Sequence, residues 1–450
     1  MKGEILRLGW PVFIGQLAVM ANGVIDTVMA GHLSPVDMAA VGLGASIYIT
    51  VYVGLMGVLL GLSPIVAQLY GAGAYEDIGK SFQQALWVAL VLAVPGAVAL
   101  GWSAPWMAFS RPPDEVAEVA RVYLWASAAG LPAALLFRAF YALNTAISRP
   151  RVVMYLNLAG VALKVPLNLL FMHGAPALGI EALGGAGCGV ASALIAWATA
   201  LGALVWLLRD PVYRPYRLLR RAPPDAARMG ELLRLGLPIG AAYFVEITSF
   251  TFMALFVARF GATALASHQV ASSLTGICYM GGLGIASATS TLVAQSLGAG
   301  DPARARLYAR TGLRMALALA LSTVTVLWLA RAPIAHAYTS DAGVAAASLS
   351  LIGLVAVFHV FDSLQTQLGF ILRAYKIATT PMVVYVLAMW GVGLGGGYLL
   401  TFEPAPDGPL GLFNGARSGA LGFWSAGAIS LMIASAGLGW LLHRTWRRSP

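Results

Sequence analysis

An all-α membrane protein, with twelve transmembrane helices in two pseudo-symmetric six-helix bundles, is predicted by three features of this 450-residue sequence. Charge is scarce. Apolar runs of about 20 residues, the length needed to cross a bilayer, recur along the whole chain. The second half repeats the first at a fixed spacing.

Hydrophobic residues make up 59% of the chain and charged residues only 10%. A soluble domain carries about 25% charged residues to maintain a solvated shell. That shell is missing here, so lipid must solvate most of the surface. The 51 glycines suit helices that approach closely in lipid. Cys188 and Cys278 form no CxxC pair and read as small packing residues. The first apolar run follows Met1–Arg7 directly and merges into a full span, so no cleavable signal peptide is expected.

Spans are expected near 8–31, 45–70, 84–108, 118–142, 152–172, 185–208, 233–258, 272–295, 310–332, 345–372, 381–401 and 420–443. Turn chemistry at Gly71–Gly73, Pro112–Pro113, Gly298–Asp301–Pro302 and Pro404–Pro409 separates them. Orientation follows the Lys and Arg residues, which favour the cytoplasmic side. With the N-terminus inside, cytoplasmic segments hold 21 of the 28, including Arg221, Arg373 and the tail. Outside segments hold only Arg111, Arg121, Arg259, Arg331 and Arg417. Both termini are therefore expected in the cytoplasm, in a bacterial-type inner membrane. The net charge of +10 reports topology, not nucleic-acid binding, which needs a folded basic surface.

The repeat is specific. Gly3-Glu-Ile-Leu-Arg-Leu-Gly-Trp-Pro11 returns 227 residues later as Gly230-Glu-Leu-Leu-Arg-Leu-Gly-Leu-Pro238. Val66-Ala67-Gln68 and Gly71-Ala72-Gly73 return at the same spacing as Val293-Ala294-Gln295 and Gly298-Ala299-Gly300. Pro150, Val152 and Val153 return as Pro381, Val383 and Val384, 231 residues on. Six spans per repeat give both halves the same orientation, related by an axis along the membrane normal, a transporter architecture. The expected divisions are an N-lobe at 1–208, a basic cytoplasmic linker at 209–229, and a C-lobe at 230–450.

Charge inside a span costs about 2.5–3.5 kcal/mol at the helix centre and marks ion or substrate pathways. Asp26, Lys164, Glu246 and Asp362 fall in this class, whereas Arg138 sits near a span end where it can snorkel. Asn22 lies one turn from Asp26 and could fix its carboxylate. Ser249 and Phe250 share the face of Glu246, and Gln365 and Thr366 follow Asp362 by one turn. Oxygen donors of this kind suit hard cations. In the repeat Glu246 aligns with Val19, Asp26 with Met253 and Asp362 with Leu131. The scaffold is duplicated and the charges are not, so the two lobes should do different jobs.

Over nearly its full length the chain resembles the MATE (multidrug and toxic compound extrusion) family, in its NorM-like branch. The likeness rests on Asp26-Thr27-Val28-Met29-Ala30-Gly31-His32, Asp37 to Gly44, Pro166-Leu167-Asn168 and Leu183 to Gly189. It rests also on Glu246, on Gly261 to Ala271 and on Asp362. The resemblance implies two bundles around a V-shaped cavity, exporting cationic or amphipathic drugs in exchange for Na⁺ or H⁺ by alternating access. It implies a cation site at Glu246 and Asp362, Na⁺ being one candidate ion, and a polar site at Asp26 and Asn168. Tyr279, which falls where the family places a cavity aromatic, is expected to bind substrate with Asn22, Asp26, Phe250 and Met253. Lys164 departs from the family's pattern, which has Asn there. Because the family fold brings the first and fifth spans together, a direct or water-bridged Asp26–Lys164 pair beside Asn168 is expected, acting as a proton-sensitive latch. A monomer without cofactor is expected.

A lipid-linked precursor flippase is the alternative, but it should line its cavity with several Arg or Lys to hold pyrophosphate. Only Lys164 and Arg138 qualify. An intramembrane enzyme would need Asp-rich or HExxH motifs, which the sequence lacks. A channel would need repeated filter segments.

Overall fold

The structure is a computed structural model that describes residues 1–218, 220, 222–402 and 419–448. Among these, twelve helices are long and apolar enough to span a membrane. The first six are α1 (Lys2–Leu33), α2 (Pro35–Gly71), α3 (Tyr75–Gly101), α4 (Asp114–Ala146), α5 (Pro150–His173) and α6 (Ala186–Arg209). The second six are α7 (Ala226–Phe260), α8 (Ala262–Gly298), α9 (Pro302–Leu329), α10 (Ala342–Ala374), α11 (Thr379–Phe402) and α12 (Ala420–Arg448). Each expected span lies within one of these, apart from 84–108 and 310–332, whose ends are cut short, and 185–208, whose helix starts one residue later. Arg221, Arg417 and the Pro404–Pro409 turn lie outside the described residues.

Side-chain caps start several helices by satisfying free backbone N–H groups. Ser34 Oγ accepts from Asp37 N at 3.0 Å, Asp301 from Arg304 N at 2.8 Å and Asp341 from Val344 N at 2.8 Å. The span expected at 84–108 closes at Gly101, and a separate short helix follows at Ala104–Ser110. Pro105 explains the break, since it has no N–H with which to continue the ladder. The span expected at 310–332 likewise stops at Leu329, before a short helix at Arg331–Tyr338 that contains Pro333. The two short helices begin 227 residues apart, so the repeat extends to its irregularities. α11 departs from α-geometry altogether over Val386–Gly396, where it is a π-helix. The glycines in and beside this stretch lower the steric cost of the wider turn.

The chain divides into two compact units, Trp10–Gly240 and Met1–Gly9 with Ala241–Pro450. The division falls inside α1 and α7, not in the linker. In the first unit the start of α7 packs on α2 through glycine: a Cβ on Gly57 would meet Gly240, and one on Gly236 would overlap the Val58 carbonyl. In the second unit Gly9 backs onto Gly284. Gly9 is the repeat equivalent of Gly236, and Gly57 of Gly284, so one close helix contact is used twice.

The linker is strapped to the first unit by main-chain hydrogen bonds. Gln83 donates to the carbonyls of Leu218 (2.7 Å) and Arg220 and accepts from Ala222 N at 2.6 Å. Gln84 donates to Pro223 O and accepts from Asp225 N, both at 2.9 Å. Salt bridges reinforce it, Arg217 to Glu76 and Arg228 to Asp77, each at 2.9 Å. At its start Asp210 pairs with Arg149 at 2.8 Å. Burial pushes the Asp210 carboxyl up, but the Val212 N–H, the Arg149 guanidinium and the Trp206 ring N–H together hold it below its ordinary value.

Candidate functional site

In the first unit the intramembrane charges meet. Lys164 and Asn168 are four residues apart on α5, as are Cys188 and Ser192 on α6, so each pair shares a helix face. Both pairs converge on Asp26 of α1. Lys164 Nζ lies 2.9 Å from Asp26 Oδ1, with the two side chains 1% and 8% exposed. The ammonium also donates to Ser192 Oγ at 2.5 Å and to the Cys188 carbonyl at 3.5 Å. Asn168 Nδ2 donates to the same Asp26 oxygen at 2.8 Å and contacts Met29 Sδ at 3.5 Å.

Burying a charge in lipid is tolerable only when it is paired and hydrogen-bonded. Here three acceptors match the three donors of an ammonium. Asn22, expected to steady the carboxylate, does not do so: its Oδ1 is buried without a hydrogen-bond partner among the described residues. Lys164 and Asn168 hold Asp26 in its place.

The likeness motifs that carry no charge chemistry turn out to brace this site. Asp37 accepts from Ser34 Oγ at 2.7 Å and from Gly185 N at 2.6 Å, tying the start of α2 to the loop before α6. Gly44 lies against the Tyr123 ring, where a Cβ would collide, and Gly189 packs tightly against the backbone and ring of the same tyrosine.

In the second unit Glu246 opens into a small cavity that it shares with Tyr243, Tyr279, Gln365, Arg373 and Tyr385. Four helices contribute: α7 through Tyr243 and Glu246, α8 through Tyr279, α10 through Gln365 and Arg373, and α11 through Tyr385. Asp362 is buried beside this cavity and not on its wall. Gln365 connects the two, lining the cavity while its Nε2 donates to Asp362 Oδ1 at 3.3 Å. The charges of Asp362 and Arg373 both act on Glu246. Gln365 Oε1 is buried without a donor among the described residues. The cavity volume is about 10 Å³, enough for roughly one water molecule. A proton carrier or a dehydrated monovalent ion fits there; a drug does not.

Arg373 was expected to serve only cytoplasmic topology. The structure instead turns its guanidinium inward, over the Tyr243 and Phe370 rings at 5.1 and 4.6 Å, with Nη1 donating to Tyr243 Oη at 3.3 Å. Its place in the last turn of α10 gave no sign of this. Tyr243 stands three residues before Glu246 on the same helix face, which is the signal that could have found it.

The remaining substrate-site expectations separate. Tyr279 lines the Glu246 cavity. Phe250 packs edge-on against Phe358 and Trp424, with centroids 6.1 and 6.2 Å away, and Met253 is buried. Neither lines that cavity. Ser249 bonds back to its own helix at Val245 O, 2.7 Å away. Arg138 stacks on Tyr141 at 4.2 Å, and its Nε is buried without a hydrogen-bond partner among the described residues.

Comparison with known proteins agrees with this architecture. The MatE family model matches twice, at residues 11–170 and 238–399, and the two matches begin 227 residues apart. A probable multidrug resistance protein NorM of Aromatoleum aromaticum is 38% identical over 100% of this chain and 95% of its own length. The multidrug resistance protein PmpM of Pseudomonas aeruginosa is 36% identical over 93% of this chain and 88% of its own. A crystal structure of a MATE protein in the bent conformation superposes with a TM-score of 0.88 at 20% identity, covering 100% of this chain and 96% of that one. That of the eukaryotic MATE transporter AtDTX14 gives 0.86 at 18% identity, covering 100% and 97%. With two copies of the family model spanning most of its length and full-length relatives above 30% identity, the chain belongs to the MatE family and is a multi-pass membrane transporter, not an enzyme.

Proposed function

We propose that this protein is a secondary active antiporter of the inner membrane. It expels cationic or amphipathic toxic compounds by alternating access, in exchange for H⁺ or Na⁺, and works as a monomer with both termini in the cytoplasm. The relatives' description as multidrug resistance proteins supports the substrate class. The observation that carries the coupling reading is the Glu246 cavity. It is sized for roughly one water-sized occupant and is lined by Glu246, by Gln365, whose amide oxygen has no donor among the described residues, and by three tyrosines. Asp362 adds a second negative charge behind Gln365. A cation entering this site neutralises buried charge, which is the differential interaction needed for an ion to bias a conformational equilibrium. In the first unit, protonation of Asp26 releases Lys164 and makes that pair a proton-sensitive latch.

Transport of a fluorescent cationic drug into inverted vesicles, under separately imposed Na⁺ and proton gradients, tests this reading. Uptake driven by one gradient and abolished by Glu246→Gln is expected. Uptake indifferent to both gradients overturns antiport.

A further inference from the structure

The Asp26 site of the first unit is built like a receptor for a small cation. A carboxylate oxygen, a hydroxyl and a main-chain carbonyl surround one point at 2.9, 2.5 and 3.5 Å. Asn168 stands at its edge, fully buried, with its Oδ1 lacking any donor among the described residues. The point they surround is occupied by the chain's own Lys164 Nζ. We infer that Lys164 is a tethered cation: it fills a monovalent-cation socket formed by Asp26, Ser192, the Cys188 carbonyl and Asn168, so this socket takes no free metal cation while Lys164 is present.

The argument is one of charge and space. With the ammonium in place the pair is neutral, and a second monovalent cation would meet a fixed positive charge within hydrogen-bond reach of the Asp26 carboxylate it would need. Remove the side chain beyond Cβ and the balance reverses. An unpaired, buried carboxylate remains, along with an emptied volume about the length of a lysine side chain and a set of oxygen ligands already in place. Buried carboxylates left without a partner are strongly destabilising, so the vacated socket should recruit a cation from solution. Methylammonium is the matching probe, because it restores the lysine head group and its adjoining carbon. This inference stands whether or not Glu246 couples transport.

The test is thermal unfolding of the purified full-length protein in detergent, in methylammonium chloride against choline chloride at equal ionic strength. A background carrying Glu246→Gln and Asp362→Asn removes both carboxylates at and beside the Glu246 cavity, so that site gives no cation response. The protein carrying Lys164 should unfold at the same temperature in both salts. Lys164→Ala should unfold several degrees lower in choline and recover most of that loss, saturably, in methylammonium. Asp26→Asn combined with Lys164→Ala should not respond. Should Lys164→Ala not survive purification in choline, recovery of monodisperse protein solubilised in methylammonium gives the same readout. A Lys164→Ala protein that behaves alike in both salts, whether stable or lost, overturns the tethered-cation assignment. So does a double variant that responds as strongly as the single one.

Discussion

Gln365 reaches back one turn along α10 to donate its amide N–H to the Asp362 carboxylate at 3.3 Å, while the same side chain forms part of the wall around Glu246. The two carboxylates of the second unit are thus joined through one amide. Gln365→Leu keeps the bulk and removes the link. It should reduce gradient-driven efflux at least tenfold while leaving expression unchanged, and Gln365→Glu should differ from it by altering the pH dependence. Vesicle uptake across a pH series measures both.

Glu246→Gln and Asp362→Asn should each abolish gradient-driven efflux without loss of folded protein, since each removes one negative charge and little volume. Membrane yield and uptake, measured on the same preparations, check this. Two variants that pump normally would remove the cation site from the second unit.

For the first unit, Asp26→Ala should destabilise the protein by about 3–5 kcal/mol, the usual effect of stranding a buried charge. Adding Lys164→Met should recover part of that loss, because it removes the stranded ammonium and refills its volume. A double-mutant cycle on thermal or denaturant unfolding reads the coupling, and strict additivity would show that the 2.9 Å contact carries no energy.

Gln83→Ala combined with Gln84→Ala should free the linker from α3. Between them these glutamines hold main-chain atoms of Leu218, Arg220, Ala222, Pro223 and Asp225. Trypsin cleavage after Arg217 or Arg220 should then accelerate severalfold, with the helices themselves protected. Unchanged cleavage would mean that the Arg217–Glu76 and Arg228–Asp77 pairs hold the strap alone.

The Asp210–Arg149 pair has a pH signature. Its folded carboxyl lies below the ordinary value, so it contributes stability above the unfolded value, about 3.9, and loses it as pH falls through the lower folded one. Asp210→Asn should therefore be less stable than the parent at neutral pH, and the two should converge below about pH 4. Equal stability at pH 7 would contradict the pairing.

What the sequence disclosed and what it hid each have a physical reason. Asp26, Lys164, Glu246 and Asp362 were legible because a charge inside an apolar run is costly and visible without any knowledge of neighbours. The repeat was legible because Glu-x-Leu-Arg-Leu-Gly-x-Pro is not an apolar accident. Arg373 was hidden because an arginine at a helix end has an ordinary explanation, and only the fold shows that it turns toward Tyr243. Gln83 and Gln84 were hidden because they bind backbone atoms, which leave no trace in residue types. The π-helical stretch of α11 was hidden for a different reason: its glycines read equally well as tight packing in lipid.

The Lys164–Asp26 pair also has an electrical consequence. Moving one elementary charge across a membrane is worth about 2.3 kcal/mol per 100 mV, but only a charge that enters on one side and leaves on the other does that work over a full cycle. Lys164 is covalently part of the chain. However far its ammonium moves during transport, it must return, and its net contribution to the membrane current is zero. The net charge moved per cycle, and with it the driving force that the membrane voltage adds to transport, therefore has to be carried by the species that cross.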